Sequence, residues 1–157
     1  MLIVSDGVQR STPSAQTRSL ETFEADLRQR GFELRHVEPA PLAALAPAVT
    51  RDNTDLVLYL LAQESEYTVG HIGIDWKKLH GGILQCMTRY WTDIPTVMVS
   101  FGHMYYLYDA PFCPTYSNAY TWLPKVQRAV VRKLMGEEPF EGTSPVDAFC
   151  GQEAARY

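Results

Sequence analysis

Two runs, Leu56-Val57-Leu58-Tyr59-Leu60-Leu61 and Thr96-Val97-Met98-Val99-Ser100-Phe101, are apolar with almost no interruption. A strand with one wet face alternates apolar and polar residues, so runs of this kind predict strands covered on both sides. Such strands occupy the middle of a parallel sheet whose two faces are closed by helices. That requirement excludes most all-β and all-α arrangements for this chain.

The remaining segments supply the partners. Leu2-Ile3-Val4 predicts a first strand that stops in a turn at Ser5-Asp6-Gly7. Ser11-Thr12-Pro13 starts a helix, Leu20, Phe23 and Leu27 form its apolar face, and Gly31 ends it. Phe32 to Val37 alternates and reads as an edge strand, and residues 39–47, flanked by prolines, read as a loop or short helix. Asp75 is a candidate N-cap for a helix over 76–91, carried by Trp76, Leu79, Ile83, Leu84, Met87, Tyr90 and Trp91. Gly81 and Gly82 inside that helix imply a close backbone contact there.

After Phe101 comes Gly102, then a tyrosine-rich turn, and then Thr115 to Tyr120 as a further doubly buried strand. A helix follows from Pro124 to Gly136, with Val126, Ala129, Val130 and Leu134 facing inward. The prediction is a three-layer, doubly wound, flavodoxin-like α/β domain over 1–147, with a polar tail over 148–157. Right-handed crossovers favour strand order 2-1-3-4-5, all parallel, with a possible sixth strand from the tail.

Composition narrows the function. Net charge is −4 with no basic block, which argues against nucleic-acid binding. No apolar run approaches the roughly 20 residues that span a bilayer. The opening MLIVSDGVQR lacks the pattern of a signal peptide, which slightly favours the cytoplasm; in an excised fragment that absence would say nothing about export. Three cysteines without CxxC spacing give neither a disulfide framework nor a zinc ribbon, and Cys86 on the apolar helical face reads as a small buried hydrophobe. No GxGxxG, P-loop or GxSxG motif is present, and residues 6–12 are a poor flavin-phosphate loop, so no cofactor is expected. His36, His71, His80 and His103 are scattered, and no metal site is expected from them.

Three motifs carry a resemblance: PTVMVSFGHMYYL at 95–107, NAYT at 118–121 and KLMGEEPFEGTSPV at 133–146. Together they resemble the C-terminal α/β domain of glycoside hydrolase family 3, the β-glucosidases and β-N-acetylhexosaminidases. The tail and the short turn after the fourth strand look nearer to the hexosaminidase branch. The resemblance implies an accessory domain that braces an N-terminal (β/α)8 barrel and borders a carbohydrate cleft, in retaining hydrolysis of β-linked sugars. In the family the nucleophilic aspartate lies on that barrel, a domain of about 250 residues, for which this chain has no room. No catalytic residue is therefore assigned within it.

In such sheets ligands sit beyond the C-terminal strand ends. In the three-domain β-glucosidases of the family the loop after this strand carries a glutamate acid/base, so Glu64 and Glu66 are the positional candidates; an ordinary solvated loop is the preferred reading. His71, His103 and Tyr105 are candidates for substrate contact. His103 stands where the family often has a small residue, and turn packing is its preferred role. Of the aromatic set Tyr105, Tyr106, Tyr108, Tyr116, Tyr120 and Trp122, most should pack, with one or two exposed. The competing expectation is a free-standing flavodoxin-like module for a small ligand.

Overall fold

The computed structural model describes residues 1–6, 19–37, 49–63, 73–87 and 89–152. Five strands form one parallel sheet: β1 (Leu2–Asp6), β2 (Arg35–His36), β3 (Val57–Leu61), β4 (Thr96–Ser100) and β5 (Tyr116–Asn118). Their order is β2-β1-β3-β4-β5, as the crossover rule predicted. Leu2 pairs with Val57, Val57 with Thr96, and Met98 with Tyr116.

Side chains leave the central strands with a period of two, and each face has its own core. Leu2, Val4, Val57, Tyr59, Leu61 and Met98 point to one side, under Leu79, Ile94, Tyr106 and Leu107. Ile3, Leu58, Leu60 and Val99 point to the other, beneath helices α1 (Glu21–Gln29) and α3 (Pro124–Leu134). All five residues of β3 are buried, as a strand covered on both faces requires.

Helix α1 buries Phe23 and Leu27 on the predicted face, and Gly31 follows it at φ 90°. The Ser11-Thr12-Pro13 start signal and residues 39–47 lie outside the described residues. Helix α3 packs on α1 through a residue that periodicity did not single out. Gln127 is buried; its Oε1 accepts from the Phe23 amide at 2.9 Å, and its Nε2 donates to the Ser19 carbonyl at 2.8 Å and to that of Trp122. Val130 and Val131 are buried beside it, while Val126 and Leu134 are only partly so and Ala129 lines a surface groove.

The helix predicted over 76–91 is broken. Helix α2 (Trp76–Leu79) makes a single turn, started by the Asp75 carboxylate accepting from the Lys78 amide. Gly81 then adopts φ 79°, which ends the helix, and a Cβ on Gly82 would stand 2.5 Å from Gln85 Oε1. Two short 3₁₀ turns, Gln85–Met87 and Tyr90–Thr92, finish the crossover. The apolar period was real, but it divides between two destinations. Leu79, Trp76, Tyr90 and Trp91 face the core, whereas Ile83, Leu84 and Met87 are exposed at 53%, 57% and 77%. Cys86, no longer on a helical face, is half-buried rather than buried, with its thiol 3.1 Å from the Ile83 carbonyl.

His80 explains where the chain turns. It is 2% exposed, its ring stacks on Tyr90 at 4.6 Å, and its Nδ1 meets the Gln85 carbonyl at 2.9 Å. A carbonyl can only accept, so Nδ1 carries the hydrogen and Nε2 is an acceptor. Burial lowers the basicity of this imidazole.

Two further expectations need correction. The segment from Thr115 to Tyr120 is an edge strand of three half-buried residues, not a doubly buried one. Two residues past its end, Tyr120 at φ 62° turns the chain out of the sheet. In the region expected to be a polar tail, Ala148 and Phe149 pack against the first core, and the Asp147 carboxylate accepts from the amides of Phe149 and Gly151. No helix among the described residues is long and apolar enough to cross a membrane.

Candidate functional site at the carboxyl ends of the strands

The C-terminal ends of β3, β4 and β5 meet in one tied group. Beyond the regular ladder the pairing of β3 with β4 continues: the Phe101 amide donates to the Leu61 carbonyl at 2.7 Å, and the His103 amide to that of Gln63 at 2.9 Å. Gly102 lies between them, and a Cβ there would stand 2.4 Å from the Gln63 oxygen. The strands come this close only because residue 102 has no side chain. The Gln63 oxygen also accepts from the Tyr106 hydroxyl at 3.4 Å.

His103 is half-buried, with its ring edge-on to Tyr105 and Tyr106, each at 5.3 Å. The Ser100 hydroxyl donates to the His103 carbonyl and fixes the turn from beneath. Tyr116 Oη lies 2.6 Å from Asn118 Oδ1 and 3.1 Å from the Met104 carbonyl, and Asn118 Nδ2 donates to that carbonyl at 3.3 Å. Burial raises the pKa of the Tyr116 phenol, so it stays protonated and serves as a donor. Asp109 receives the Ile74 amide at 2.9 Å, joining the β4–β5 crossover to the segment before α2.

These contacts place the predicted residues unevenly. His103 and Tyr105 come together at the end of β4, beside the buried Tyr106. Glu64, Glu66 and His71 lie outside the described residues. Tyr108 and Tyr120 are exposed at 50% and 42%, and Trp122 packs on the opposite core, so the six aromatics do not form one cluster. Among the described residues no group of three or more His, Cys, Asp or Glu side chains is placed to hold a metal ion. Burial raises the Cys113 thiol to about 11, which removes it as a nucleophile near neutral pH.

A second feature was not anticipated. An open groove of about 1160 Å³ runs along β5, bounded by α3 and by residues 140–149. At its mouth the Tyr120 hydroxyl lies 3.0 Å from Ser144 Oγ, whose own hydrogen goes to the Val146 carbonyl at 2.9 Å. The NAYT motif marked the position of Tyr120, but neither propensity nor period signals a left-handed tyrosine.

No family model matches the chain. A β-N-acetylglucosaminidase/β-glucosidase from Cellulomonas fimi is 38% identical in an alignment of 143 positions that covers 88% of this chain and 24% of that protein. A solved structure of the β-glucoside phosphorylase BglX superposes with a TM-score of 0.76 at 28% identity, over 99% of this chain and 27% of that one. A fungal multi-domain GH3 β-N-acetylglucosaminidase shares the fold, with a TM-score of 0.59 at 17% identity over 93% of this chain and 15% of that one. The chain thus spans about a quarter of the curated relative it matches.

Proposed function

We propose that this chain, a C-terminal α/β domain of the family 3 glycoside hydrolase type, works as the accessory half of an enzyme acting on β-linked sugars. The observation that carries the reading is the match over nearly all of this chain to about a quarter of proteins named for β-glucosides and β-N-acetylglucosaminides. A (β/α)8 barrel of about 250 residues supplies the nucleophilic carboxylate and forms the glycosyl-enzyme intermediate of a retaining reaction. The ends of β3 and β4 border its cleft, with His103 and Tyr105 on the substrate side. Their backbone ties make a rigid wall, which suits positioning more than proton transfer.

The barrel docks on the surface that carries Ile83, Leu84 and Met87. Three large apolar side chains this exposed within five residues are unusual for a monomer's surface. They are also held firmly, because Gln85 in their midst is bonded to the buried His80.

Turnover of chromogenic β-N-acetylglucosaminides and β-glucosides tests the reading. The chain alone should show none, in water or in phosphate; the chain joined to its proposed (β/α)8 barrel should be active. Changing Ile83, Leu84 and Met87 together to Ser should weaken that association at least about tenfold while the chain keeps its fold. Enzyme-like turnover by the chain alone would overturn the proposal.

A further inference from the structure

The groove along β5 is built around a residue in an unfavourable conformation. At φ 62°, Tyr120 occupies the left-handed region, which a bulky side chain rarely adopts because its Cβ crowds the following carbonyl. Glycine would sit there without strain. Core packing does not offset the strain, because Tyr120 is 42% exposed and belongs to neither core. The hydroxyl bond to Ser144 is exposed, so its net value is modest. Such outliers point to function when the surroundings hold them in place. Here the backbone fixes one end of the ring and the chain of hydroxyls from Tyr120 through Ser144 to the Val146 carbonyl fixes the other.

The result is a pre-oriented aromatic ring at the rim of a groove whose lining includes the aliphatic Val126, Ala129 and Val130. Ser117 and Thr143 share the lining, with Lys125 and Lys133 from α3 and Glu141 and Asp147 from the 140–149 segment. A pyranose ring has the matching shape: one face of C–H bonds to lie on an aromatic ring, and a rim of hydroxyls for polar neighbours. A peptide strand would want a longer free edge than the three residues of β5. A nucleotide's phosphates would meet Glu141 and Asp147, which share the lining with Lys125 and Lys133, and Lys133 already donates to the Pro139 carbonyl.

We infer that this groove is a sugar-binding site, with Tyr120 as its stacking platform, for a β-linked glucosyl or N-acetylglucosaminyl unit. The choice of sugar rests on the proposed function; the groove and its strained tyrosine do not.

The test is a titration of the full isotope-labelled chain with N,N′-diacetylchitobiose and with cellobiose, followed by amide chemical shifts, with maltose as the α-linked control. Saturating shifts are expected at residues 116–121 and 140–147 with one of the β-linked sugars. Tyr120→Gly should weaken binding at least about tenfold and raise the melting temperature, because it removes the platform and the strain together. Tyr120→Phe, which keeps the ring and releases Ser144, should bind within about threefold of the parent. Should the glycine variant fail to fold, Ala129→Trp fills the groove from α3, and loss of binding with native shifts elsewhere is then the expected result. No saturating shift up to about 50 mM, shifts confined to other segments, or unchanged binding by Tyr120→Gly or Ala129→Trp would each overturn the inference. Barrel-dependent turnover without sugar shifts in the groove would refute this site and leave the proposed function standing. Groove shifts without barrel-dependent turnover would do the reverse.

Discussion

The Tyr59 hydroxyl donates to Nε2 of His80 across 2.7 Å, in the middle of the core beneath α2. Both groups are buried, and burial raises the Tyr59 phenol's pKa and lowers that of the His80 imidazole. The native state therefore holds a neutral imidazole that accepts one hydrogen bond and donates another. The unfolded chain takes up a proton near pH 6.5, and the folded one only at lower pH. Stability from this pair is complete above about pH 6.5 and falls as pH drops below it toward the folded-state value. Urea unfolding across pH 5 to 8 should show the decline, and His80→Gln should flatten it.

Tyr59→Phe tests the same bond from the other side. It leaves the Nε2 acceptor buried without its donor and should destabilise the fold by about 1–3 kcal/mol. Equilibrium unfolding at neutral pH measures this directly.

Gly102→Ala should destabilise by about 1–3 kcal/mol, because the new methyl group meets the Gln63 carbonyl at 2.4 Å. The obstacle is backbone in a paired strand end, which cannot swing aside as a side chain would. Hydrogen exchange should show faster loss of protection at the His103 amide than at Val99.

Gln127→Leu preserves size and removes three hydrogen bonds at once, to Phe23, Ser19 and Trp122. The backbone groups it leaves are near the α1–α3 contact, so a loss of about 2–4 kcal/mol is expected. A chemical melt of this variant beside Gln127→Glu separates lost hydrogen bonding from lost shape.

A thiol reagent at neutral pH should modify Cys150 quickly and Cys113 only on unfolding. Cys150 is exposed, whereas Cys113 is buried with its thiol pushed up to about 11. Counting labelled thiols by mass before and after denaturant checks the order of reaction.

The sheet was legible in the sequence because its signal is redundant. Leu56–Leu61 and Thr96–Phe101 read as covered strands, and the crossover rule then favoured the strand order observed. The 76–91 crossover was misread for a specific reason. Trp76, Leu79, Tyr90 and Trp91 keep a helical spacing, but Gly81 diverts the chain, and the intervening apolar residues face outward. Periodicity records which residues are apolar, not whether they are all buried on the same side. Gln127 escaped notice because a buried amide on an amphipathic helix looks like any polar position until its three partners are seen. His103 and Tyr105 follow the end of β4, where the apolar run breaks at Gly102. The strain at Tyr120 depends on where β5 stops pairing, a tertiary fact that no local pattern encodes.

The register of the sheet also bears on how the molecule assembles. Leu2 finds Val57, and Val57 finds Thr96, so no strand pairs with its neighbour through a tight hairpin. Each pairing closes a long excursion of chain before any contact compensates the lost freedom. Folding on the scale of milliseconds to seconds is expected for such a sheet, with β3 as the element the other strands must wait for.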